Sequence, residues 1–387
     1  MRRSPLATIV LAALGLACAG RAAVAPPPAS TPRGRFEPVV AYLRSQVDSA
    51  FPGAVLAVGY RDSLVLLAAV GHYGVDDPRL VTPETIYDLA SLTKVIGLTT
   101  AVMMLVDSGK LDLDAPVQRY VPAFQGMGKE RVMIRHLLTH SSGLPAWRPL
   151  YAEAATREQA LTLVDTTALL RQPGDTFVYS DLGAIVLTQA VEAVSSQRIN
   201  EFLEARVFGA LGMGSTRFLP PAGWRDRIAP TESDTAFRHR ALRGEVHDEN
   251  AGRLEGVSGH AGLFSTAPDL ARFAQWLLET RMGAATQPQL SSDLARTFTT
   301  RQNIPAGSSR ALGWDTPSQN SSAGTKMGPN AFGHTGFTGT SIWFDPDRAL
   351  FIILLTNRVN PTRTNTRIFQ VRRRVADLVV DAVTPPQ

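Results

Sequence analysis

The sequence has a single cysteine, Cys18, and only four lysines among its 39 basic residues. One cysteine cannot form a disulfide within the chain, so no covalent cross-link of that kind contributes to its stability. Charged residues make up 19% of the 387 residues and hydrophobic residues 44%, which are ordinary globular values and exclude a disordered chain. A chain of this length can bury a large core and hold two packed subdomains.

Several functional signatures are also absent from the sequence. It contains no HExxH pattern, no Walker sequence and no G-x-S-x-G turn, so metalloprotease, nucleotide-binding and α/β-hydrolase chemistry have no support. The net charge of +5 comes from scattered arginines. The densest group, Arg372, Arg373 and Arg374, lies on a predicted helix without aromatic residues to stack on bases. We interpret this group as a solvated helix face and expect no nucleic-acid partner.

The N-terminal residues have the pattern of an export signal. Two arginines precede an apolar segment, Leu6–Ala17, which is too short to span a bilayer but typical of a secretory signal. We therefore expect residues 1–19 to be a signal peptide and the protein to be periplasmic or bound to the cell envelope. Cys18 lies where bacterial lipoproteins are lipidated, whereas cleavage after Ala19 would release a soluble protein. Residues 20–35, rich in proline and alanine, are predicted to form a tether, and a lipid on Cys18 would be the only membrane attachment.

Strand patterns occur near both ends of the chain. The apolar segments Ala54–Tyr60 and Leu64–Val70 predict a hairpin. Two late strands, Thr340–Phe344 and Leu350–Thr356, are predicted on either side of a turn. One antiparallel sheet built from both chain ends and flanked by helices is the simplest α+β arrangement of these segments.

Helical spacing dominates the middle of the chain, over Val132–Thr139, Ala160–Leu170 and Gly183–Val194. Further helices are predicted after Thr266, which begins a capping-box-like sequence, and over Arg367–Val383. We place an α/β part in residues 36–115 and 256–387, and a mostly helical inserted subdomain in residues 116–255. A catalytic cleft is expected between the two parts.

The tetrapeptide Ser91, Leu92, Thr93, Lys94 stands directly before a long apolar stretch, Val95–Val106. Residues three apart on a helix share a face, so the Ser91 hydroxyl and the Lys94 amine can touch. A serine needs a neighbour to take its proton, and a lysine can do so only when it is neutral. The apolar stretch provides surroundings that favour a neutral lysine. The alternative is that Ser91 simply begins a core helix.

Two further clusters follow the tetrapeptide in the chain: Tyr179, Ser180, Asp181 and, at the predicted start of a late strand, His334, Thr335, Gly336. With these three motifs in this order, the chain resembles the serine β-lactamase and penicillin-binding-protein superfamily. It is most similar to the class C β-lactamase-like branch, which includes D-alanyl-D-alanine carboxypeptidases and esterases. The resemblance extends from about Val39 to Val380.

This resemblance implies a β-lactamase/transpeptidase-like fold and an acyl-enzyme on Ser91. Lys94 would accept the serine proton, and Tyr179 would carry a proton to the leaving group. The backbone N–H groups of Ser91 and Phe337 would form the oxyanion hole. The residues implied to bind substrate are Asp181, His334, Thr335 and Gly336. The glycine would leave room for a substrate backbone along its strand.

Two positions depart from the commonest family pattern. Asp181 replaces asparagine, and an ionised carboxylate only accepts hydrogen bonds and favours a protonated Lys94. His334 replaces the lysine of β-lactamases, although histidine is usual among the related carboxypeptidases and some esterases. If its imidazole binds a substrate carboxylate, processing should fall as the pH rises through the histidine titration, between about pH 5 and 8.

The remaining histidines suggest no metal site. His247, Asp248 and Glu249 lack the ligand spacing of a metal centre, with or without His260. We expect His140 and His260 to be hydrogen-bonded scaffold near the cleft. No cofactor is expected.

Together the motifs predict a secreted or envelope-anchored serine hydrolase. D-alanyl-D-alanine carboxypeptidase-like action on a peptidoglycan peptide is the preferred interpretation, with a small-molecule substrate as the alternative. Within the superfamily, carboxylesterase and β-lactamase activities remain open. A non-catalytic lipoprotein that binds peptidoglycan is the alternative of another class.

Overall fold

The computed structural model describes residues 34–319 and 321–384. The predicted signal peptide, Cys18 and nearly all of the predicted tether lie outside these residues.

The strands within residues 34–319 and 321–384 are β1 (Gly53–Tyr60), β2 (Ser63–Gly74), β3 (Asp77–Leu80), β4 (Tyr87–Asp88), β5 (Arg217–Phe218), β6 (Ser233–Asp234), β7 (Arg240–Ala241), β8 (Leu263–Ser265), β9 (Phe332–Thr335), β10 (Ser341–Asp345) and β11 (Leu350–Thr356). Six of them form one antiparallel sheet in the order β3-β2-β1-β11-β10-β9. The strands β1 and β11 are neighbours at its centre, with Ala54 opposite Thr356. The predicted sheet from both chain ends is therefore confirmed.

The helices of the same residues are α1 (Glu37–Ser45), α2 (Thr100–Asp107), α3 (Ile134–Leu138), α4 (Leu150–Glu153), α5 (Arg157–Thr166), α6 (Asp181–Ser195), α7 (Ile199–Leu203), α8 (Glu249–Arg253), α9 (Ala267–Arg281), α10 (Ser292–Thr299) and α11 (Ile368–Val383). A π-helical turn, Lys94–Thr99, runs directly into α2. The stretch Ala90–Asp107 is apolar and long enough to cross a membrane, but 78% of it is buried inside the protein, as expected of a core helix.

The central sheet is covered on both faces, which explains why its middle strands are apolar without interruption. Along β1, Leu56 and Val58 belong to a core that also includes residues of α1 and α11. Val55 and Ala57 point to the opposite face and belong to the main core, which includes residues of α9. The period of two along the strand thus divides its side chains between two helical layers.

Residues 116–255 contain α3 to α8, and also the short strands β5, β6 and β7, which the sequence analysis did not predict. The strand β5 joins β4 and β8 in a second sheet of order β4-β8-β5. Because β4 ends three residues before Ser91, this small sheet connects the middle of the chain to the nucleophile segment.

Helix positions agree with the sequence patterns more closely than helix ends do. The helix α5 begins before the predicted Ala160, because Thr156 caps it by accepting a hydrogen bond from the N–H of Gln159. It ends at Thr166, before the predicted Leu170. Thr266 caps α9 as predicted, accepting from the N–H of Asp269.

The interpretation of the three C-terminal arginines as a solvated face is wrong for Arg372. This residue is only 4% exposed, and its guanidinium donates to the carbonyl oxygens of Gly336 at 2.6 Å and Thr340 at 2.8 Å. Arg372 follows Ile368 by four residues, so it lies on the buried face of α11. Arg374 is exposed.

Candidate active site

Ser91 stands on a tight turn between β4 and the π-helical turn. The preceding residue, Ala90, has φ of 46°, in the left-handed region that residues with side chains rarely adopt. The Ala90 N–H donates to Asp88 Oδ1 at 2.8 Å, which holds this conformation. Thr340 Oγ1 adds a hydrogen bond to the Leu89 carbonyl at 2.9 Å. Backbone strain of this kind costs about 1–3 kcal/mol and concentrates at functional sites.

Lys94 is 3% exposed, and its ammonium nitrogen lies near three oxygens. Nζ is 3.1 Å from Ser91 Oγ and 3.0 Å from the carbonyl oxygen of His260. It also lies 2.7 Å from Oδ1 of Asp181, the first residue of α6, with which it forms an ion pair. The contact between Ser91 and Lys94 that the helical spacing predicts is therefore present.

Lys94 carries a positive charge in this arrangement. Burial by itself lowers the pKa of a lysine, but the Asp181 carboxylate and the Tyr179 side chain outweigh burial and raise the pKa of Lys94 above its ordinary value. The neutral Lys94 that the apolar stretch favoured is wrong, whereas the protonated Lys94 that an Asp181 carboxylate favours agrees with the ion pair. A protonated amine cannot take the serine proton, but it can donate a hydrogen bond to Oγ.

The Tyr179 ring lies among cations and histidines. Nζ of Lys94 is 5.0 Å and Cζ of Arg310 is 5.4 Å from the ring centroid. The imidazole centroids of His140 and His334 lie 4.5 Å and 5.9 Å from it. Two positively charged side chains and two imidazoles thus surround the Tyr179 ring.

His334 lies near the end of β9, not at the start of a strand as predicted. Its Nδ1 is 2.9 Å from the Thr335 carbonyl oxygen. Because a carbonyl only accepts, Nδ1 carries the proton and Nε2 is an acceptor. Burial, followed by the charges of Arg310 and Lys94, holds the pKa of His334 well below its ordinary value. The predicted loss of carboxylate binding through a histidine titration between about pH 5 and 8 therefore has no basis in this structure.

A side chain at Gly336 would point into the protein, although the backbone of this residue lines a cavity beside Ser91. A Cβ at this position would lie 2.1 Å from Thr340 Oγ1 and 2.4 Å from the Leu89 carbonyl oxygen. The expectation that this glycine makes room for a substrate backbone is wrong. Its small size instead allows the end of β9 to approach the turn that carries the nucleophile.

The backbone N–H groups of Ser91 and Phe337 have no hydrogen-bond acceptor within residues 34–319 and 321–384. Two arginines fix the turn that carries the second of these groups. Arg358 Nε donates to the Phe337 carbonyl at 2.8 Å, and Arg372 donates to the carbonyl of Gly336. Two free donors near one serine hydroxyl are what a tetrahedral oxyanion requires.

Two cavities flank Ser91. The larger has a volume of about 440 Å³, and we call it the basic cavity because Arg310, Arg358 and Arg372 line it. The predicted site residues in its lining are Ser91, Tyr179, His334, Thr335, Gly336 and Phe337. None of the three arginines was predicted to be a site residue. Only Arg372 had a signal in the sequence: it follows Ile368 by four residues, a spacing that places it on the buried face of α11.

The smaller cavity has a volume of about 260 Å³, and we call it the acidic cavity because Asp181, Asp248 and Glu249 line it. It shares Ser91, Tyr179 and Phe337 with the basic cavity. The predicted site residues thus come together around one hydroxyl, with Lys94 buried behind it.

The histidines near the acidic cavity are hydrogen-bonded. His260 Nε2 lies 2.9 Å from Asp248 Oδ1, and His247 Nε2 lies 2.7 Å from Glu232 Oε2. His140 Nδ1 accepts the N–H of residue 180 at 3.1 Å. In the part of the chain that the structure describes, no group of His, Cys, Asp and Glu side chains is arranged to hold a metal ion.

Comparison with known proteins identifies the family. Residues 35–377 match the model of the Beta-lactamase family. A protein named "Putative D-alanyl-D-alanine carboxypeptidase" from Salmonella agona (strain SL483) is 31% identical over 364 residues, and the match covers 84% of this chain and 83% of that protein. The chain belongs to the beta-lactamase family and is a serine hydrolase, as the three motifs predicted.

Solved structures agree on the fold. A penicillin-binding protein homologue from Caulobacter crescentus has a TM-score of 0.73 at 19% identity, covering 90% of this chain and 98% of that chain. EstCE1, described as a hydrolase with promiscuous acyltransferase activity, has a TM-score of 0.70 at 22% identity, covering 88% and 98%. These similarities confirm the β-lactamase/transpeptidase-like fold.

Proposed function

We propose that this protein is a D-alanyl-D-alanine carboxypeptidase-like enzyme that acts on cell-wall peptides through an acyl-enzyme on Ser91. The observation that carries the proposal is the meeting of the Ser91 hydroxyl, the Lys94 ammonium, the Tyr179 ring and two free backbone donors beside a basic cavity. A carboxypeptidase substrate has a carboxylate on its leaving group, which suits that cavity. Export to the periplasm or cell envelope, supported by the apolar segment Leu6–Ala17, belongs to the same proposal.

Tyr179 is the proton acceptor in this mechanism. Lys94 is already protonated, which leaves Tyr179, a neighbour of Ser91 in the lining of both cavities, as the proton acceptor. Ser91 Oγ forms a bond to the scissile carbonyl carbon while its proton passes to the Tyr179 oxygen. The oxyanion that forms accepts hydrogen bonds from the N–H groups of Ser91 and Phe337.

Collapse of this intermediate breaks the C–N bond, and Tyr179 returns the proton to the nitrogen of the departing D-alanine. Water then attacks the Ser91 ester while Tyr179 takes one of its protons. The bond between Oγ and the acyl carbon breaks, Tyr179 returns that proton to Oγ, and the shortened peptide leaves. Lys94 stays charged throughout, donates to Oγ and is held in place by Asp181. The Asp181 carboxylate is committed to that ion pair, so it does not donate to a substrate carbonyl.

Kinetics with three substrates test the proposal. The purified protein is incubated with an acyl-D-Ala-D-Ala peptide, an uncharged acyl ester and a cephalosporin. We expect release of D-alanine by the wild type and by Ser108→Ala, an exposed-serine control, and none by Ser91→Ala. Release of D-alanine that survives Ser91→Ala, or hydrolysis of the ester without any release of D-alanine, would contradict the proposal.

Carboxylesterase activity is the second candidate, and the rim of the two cavities favours it. Phe337, Trp147 and Phe369 are 48%, 47% and 56% exposed and line the cavities. Exposed aromatic side chains at a cleft suit an apolar acyl or alcohol group. In the same kinetics, an esterase would show kcat/KM for the ester far above that for the peptide.

A further inference from the structure

Asp88 carries a buried carboxyl group that the mechanism above does not use. The residue ends β4 and is 2% exposed. Burial raises the pKa of Asp88 above its ordinary value, and the hydrogen bonds from the backbone N–H groups of His247 and Ala90 act against that rise. A buried carboxylate is costly unless hydrogen bonds satisfy its oxygens, so the groups that bind it indicate what it is for.

The two carboxylate oxygens of Asp88 bind two different segments of the chain. Oδ1 accepts the N–H of Ala90 at 2.8 Å, and Oδ2 accepts the N–H of His247, 159 residues further along the chain, at 2.7 Å. The first bond holds the left-handed residue directly before Ser91. The second holds a residue in the lining of the acidic cavity. One carboxylate therefore joins the nucleophile turn to the wall of that cavity.

The backbone carbonyl of Asp88 binds a third segment. It accepts the hydroxyl hydrogen of Thr338 Oγ1 at 2.7 Å, and Thr338 directly follows Phe337. The next carbonyl, that of Leu89, accepts from Thr340 Oγ1 at 2.9 Å. The turn that carries the Phe337 N–H is thus hydrogen-bonded to the same two residues that lead into the nucleophile turn.

These contacts matter because the two free N–H groups come from distant parts of the chain. Two donors stabilise an oxyanion only when they are held in place before the reaction, at hydrogen-bond distance from the position that the oxyanion will occupy. A small displacement of either donor lowers the rate without removing any group that touches the substrate. Asp88 is the residue that contacts both of the turns that carry these donors.

We propose that Asp88 is a positioning residue for the oxyanion hole, which holds the backbone N–H groups of Ser91 and Phe337 at the spacing that a tetrahedral oxyanion needs. The role requires two acceptor oxygens on one side chain. A carboxylate has them, whereas an amide has one oxygen and one NH₂ donor. In Asp88→Asn a donor would face the N–H of either Ala90 or His247, so one of the two bonds would be lost.

This inference rests on the proposed Ser91 acyl-enzyme but not on peptidase activity. It is tested by infrared spectroscopy of the acyl-enzyme, recorded after rapid mixing with a nitrophenyl cinnamate ester that has ¹²C or ¹³C at its carbonyl. The difference between the two spectra isolates the carbonyl band of the Ser91 ester. The frequency of that band falls as the hydrogen bonds to the carbonyl oxygen become stronger, so it reports on the oxyanion hole directly.

The variants are Asp88→Asn, Thr338→Val and the control Asp269→Asn, each compared with the wild type after thermal melting shows that it is folded. Asp269 is a matched control because it is 4% exposed and burial raises its pKa as well. Its Oδ2 joins two groups, accepting from the N–H of Ser215 at 2.7 Å and from Thr216 Oγ1 at 2.9 Å. It lines neither the basic nor the acidic cavity.

We expect Asp88→Asn to raise the carbonyl frequency and to lower the acylation rate constant by about 10- to 100-fold, because its oxyanion donors are no longer held in place. The dissociation constant of the ester should change little, since the oxyanion exists only after attack. Thr338→Val should shift the frequency in the same direction by a smaller amount. Asp269→Asn should keep the wild-type frequency and rate constant even if its melting temperature falls.

An unchanged frequency in Asp88→Asn, or an equal shift in Asp269→Asn, would overturn the assignment. If Asp88→Asn does not fold, Thr338→Val decides the matter: a raised frequency supports the positioning role, and the wild-type frequency overturns it.

The wild-type spectrum and the release of D-alanine keep this inference apart from the proposed function. If the wild type shows no Ser91 ester band, the acyl-enzyme is refuted and the positioning role with it. A wild-type band that Asp88→Asn leaves unshifted refutes the positioning role alone. A band that depends on Asp88 in an enzyme that releases no D-alanine from the peptide refutes carboxypeptidase action and supports the positioning role.

Discussion

The basic and acidic cavities share Ser91, Tyr179 and Phe337, yet their charges are arranged in opposite ways. In the acidic cavity every carboxylate has a cationic or imidazole partner: Asp181 with Lys94, Asp248 with His260, and Glu249 with Arg363. In the basic cavity, no arginine forms an ion pair with a carboxylate of the described residues, and Nη1 of Arg310 and Nε of Arg372 are both buried without a hydrogen-bond partner among those residues. The comparison separates a cavity whose charges neutralise one another from a cavity that keeps unpaired positive charge.

The paired charges of the acidic cavity act as scaffold. Glu232 lies behind the cavity, where His247 and Arg363 both contact its carboxylate. The His247 ring in turn stacks on the Phe337 ring, with centroids 5.6 Å apart. This network supports the turn that carries the Phe337 N–H. Changes to it should therefore reduce stability first, whereas changes to the basic cavity should alter selectivity.

The Tyr179 side chain lines both cavities, so removing its hydroxyl should have the largest effect on the acylation rate. In Tyr179→Phe the ring remains, but the group that moves the proton is lost, so the acylation rate should fall by about 10³-fold for peptide and ester alike. The rate is measured by stopped-flow with a chromogenic ester, and Tyr42→Phe on α1 is the matched control. A decrease of less than tenfold, or a decrease confined to one class of leaving group, would show that Tyr179 does not serve both cavities.

The scaffold role of the acidic cavity can be measured as stability. Burial would raise the pKa of Glu232, but hydrogen bonds from His247 and Arg363 lower it to about 2 from the ordinary 4.5. A lowered carboxyl pKa contributes stability that is fully present above pH 4.5 and is lost as the pH falls towards 2. Glu232→Gln should therefore lower the free energy of unfolding by about 3 kcal/mol at pH 7 and by much less at pH 2.

Urea unfolding at both pH values tests this, with the exposed Glu84→Gln as the control. A Glu232→Gln protein as stable as the wild type at pH 7 would show that this network is not structural. A difference between the two proteins that grows on acidification would contradict the direction of the pKa shift.

Loss of the ion pair between Lys94 and Asp181 should have the smallest effect on the rate and the clearest effect on its pH dependence. In Asp181→Asn, burial is no longer opposed by a carboxylate, so the pKa of Lys94 falls. A lysine is charged below its pKa, hence the ammonium is lost at a lower pH than in the wild type. The alkaline limb of kcat/KM should therefore move to lower pH than in the wild type, and a pH–rate profile measures the movement.

The exposed-aspartate variant Asp107→Asn serves as the control for this profile. A faster acylation of Asp181→Asn at neutral pH is what a neutral Lys94 base would produce. That result would refute the assignment of the proton to Tyr179.

Much of the fold followed from local patterns. The hairpin β1–β2 and the strands β10 and β11 have the alternation and the turn residues of a sheet. They form four adjacent strands, since β1 and β11, from opposite ends of the chain, pair at the centre. The short strands β5, β6 and β7 have two residues each, too few for any period to be read. Their pairing depends on tertiary contacts that the local sequence does not encode.

The contact between Ser91 and Lys94 was predictable, but the charge of Lys94 was decided by a residue 87 positions away. Asp181 could be recognised as unusual in the sequence, whereas its 2.7 Å distance from Nζ required the packing of α6. Arg372 had a signal in its spacing from Ile368, which places it on the apolar face of α11. Arg310 had none.

The central claim, that three distant motifs build one nucleophilic centre at Ser91, is tested most directly by locating a covalent adduct. The protein is treated with a fluorophosphonate and digested with trypsin, which releases residues 80–94 as one peptide. We predict a single adduct, located by fragmentation on Ser91, and no adduct in Ser91→Ala. Labelling at another residue, or equal labelling of Ser91→Ala, would contradict the account.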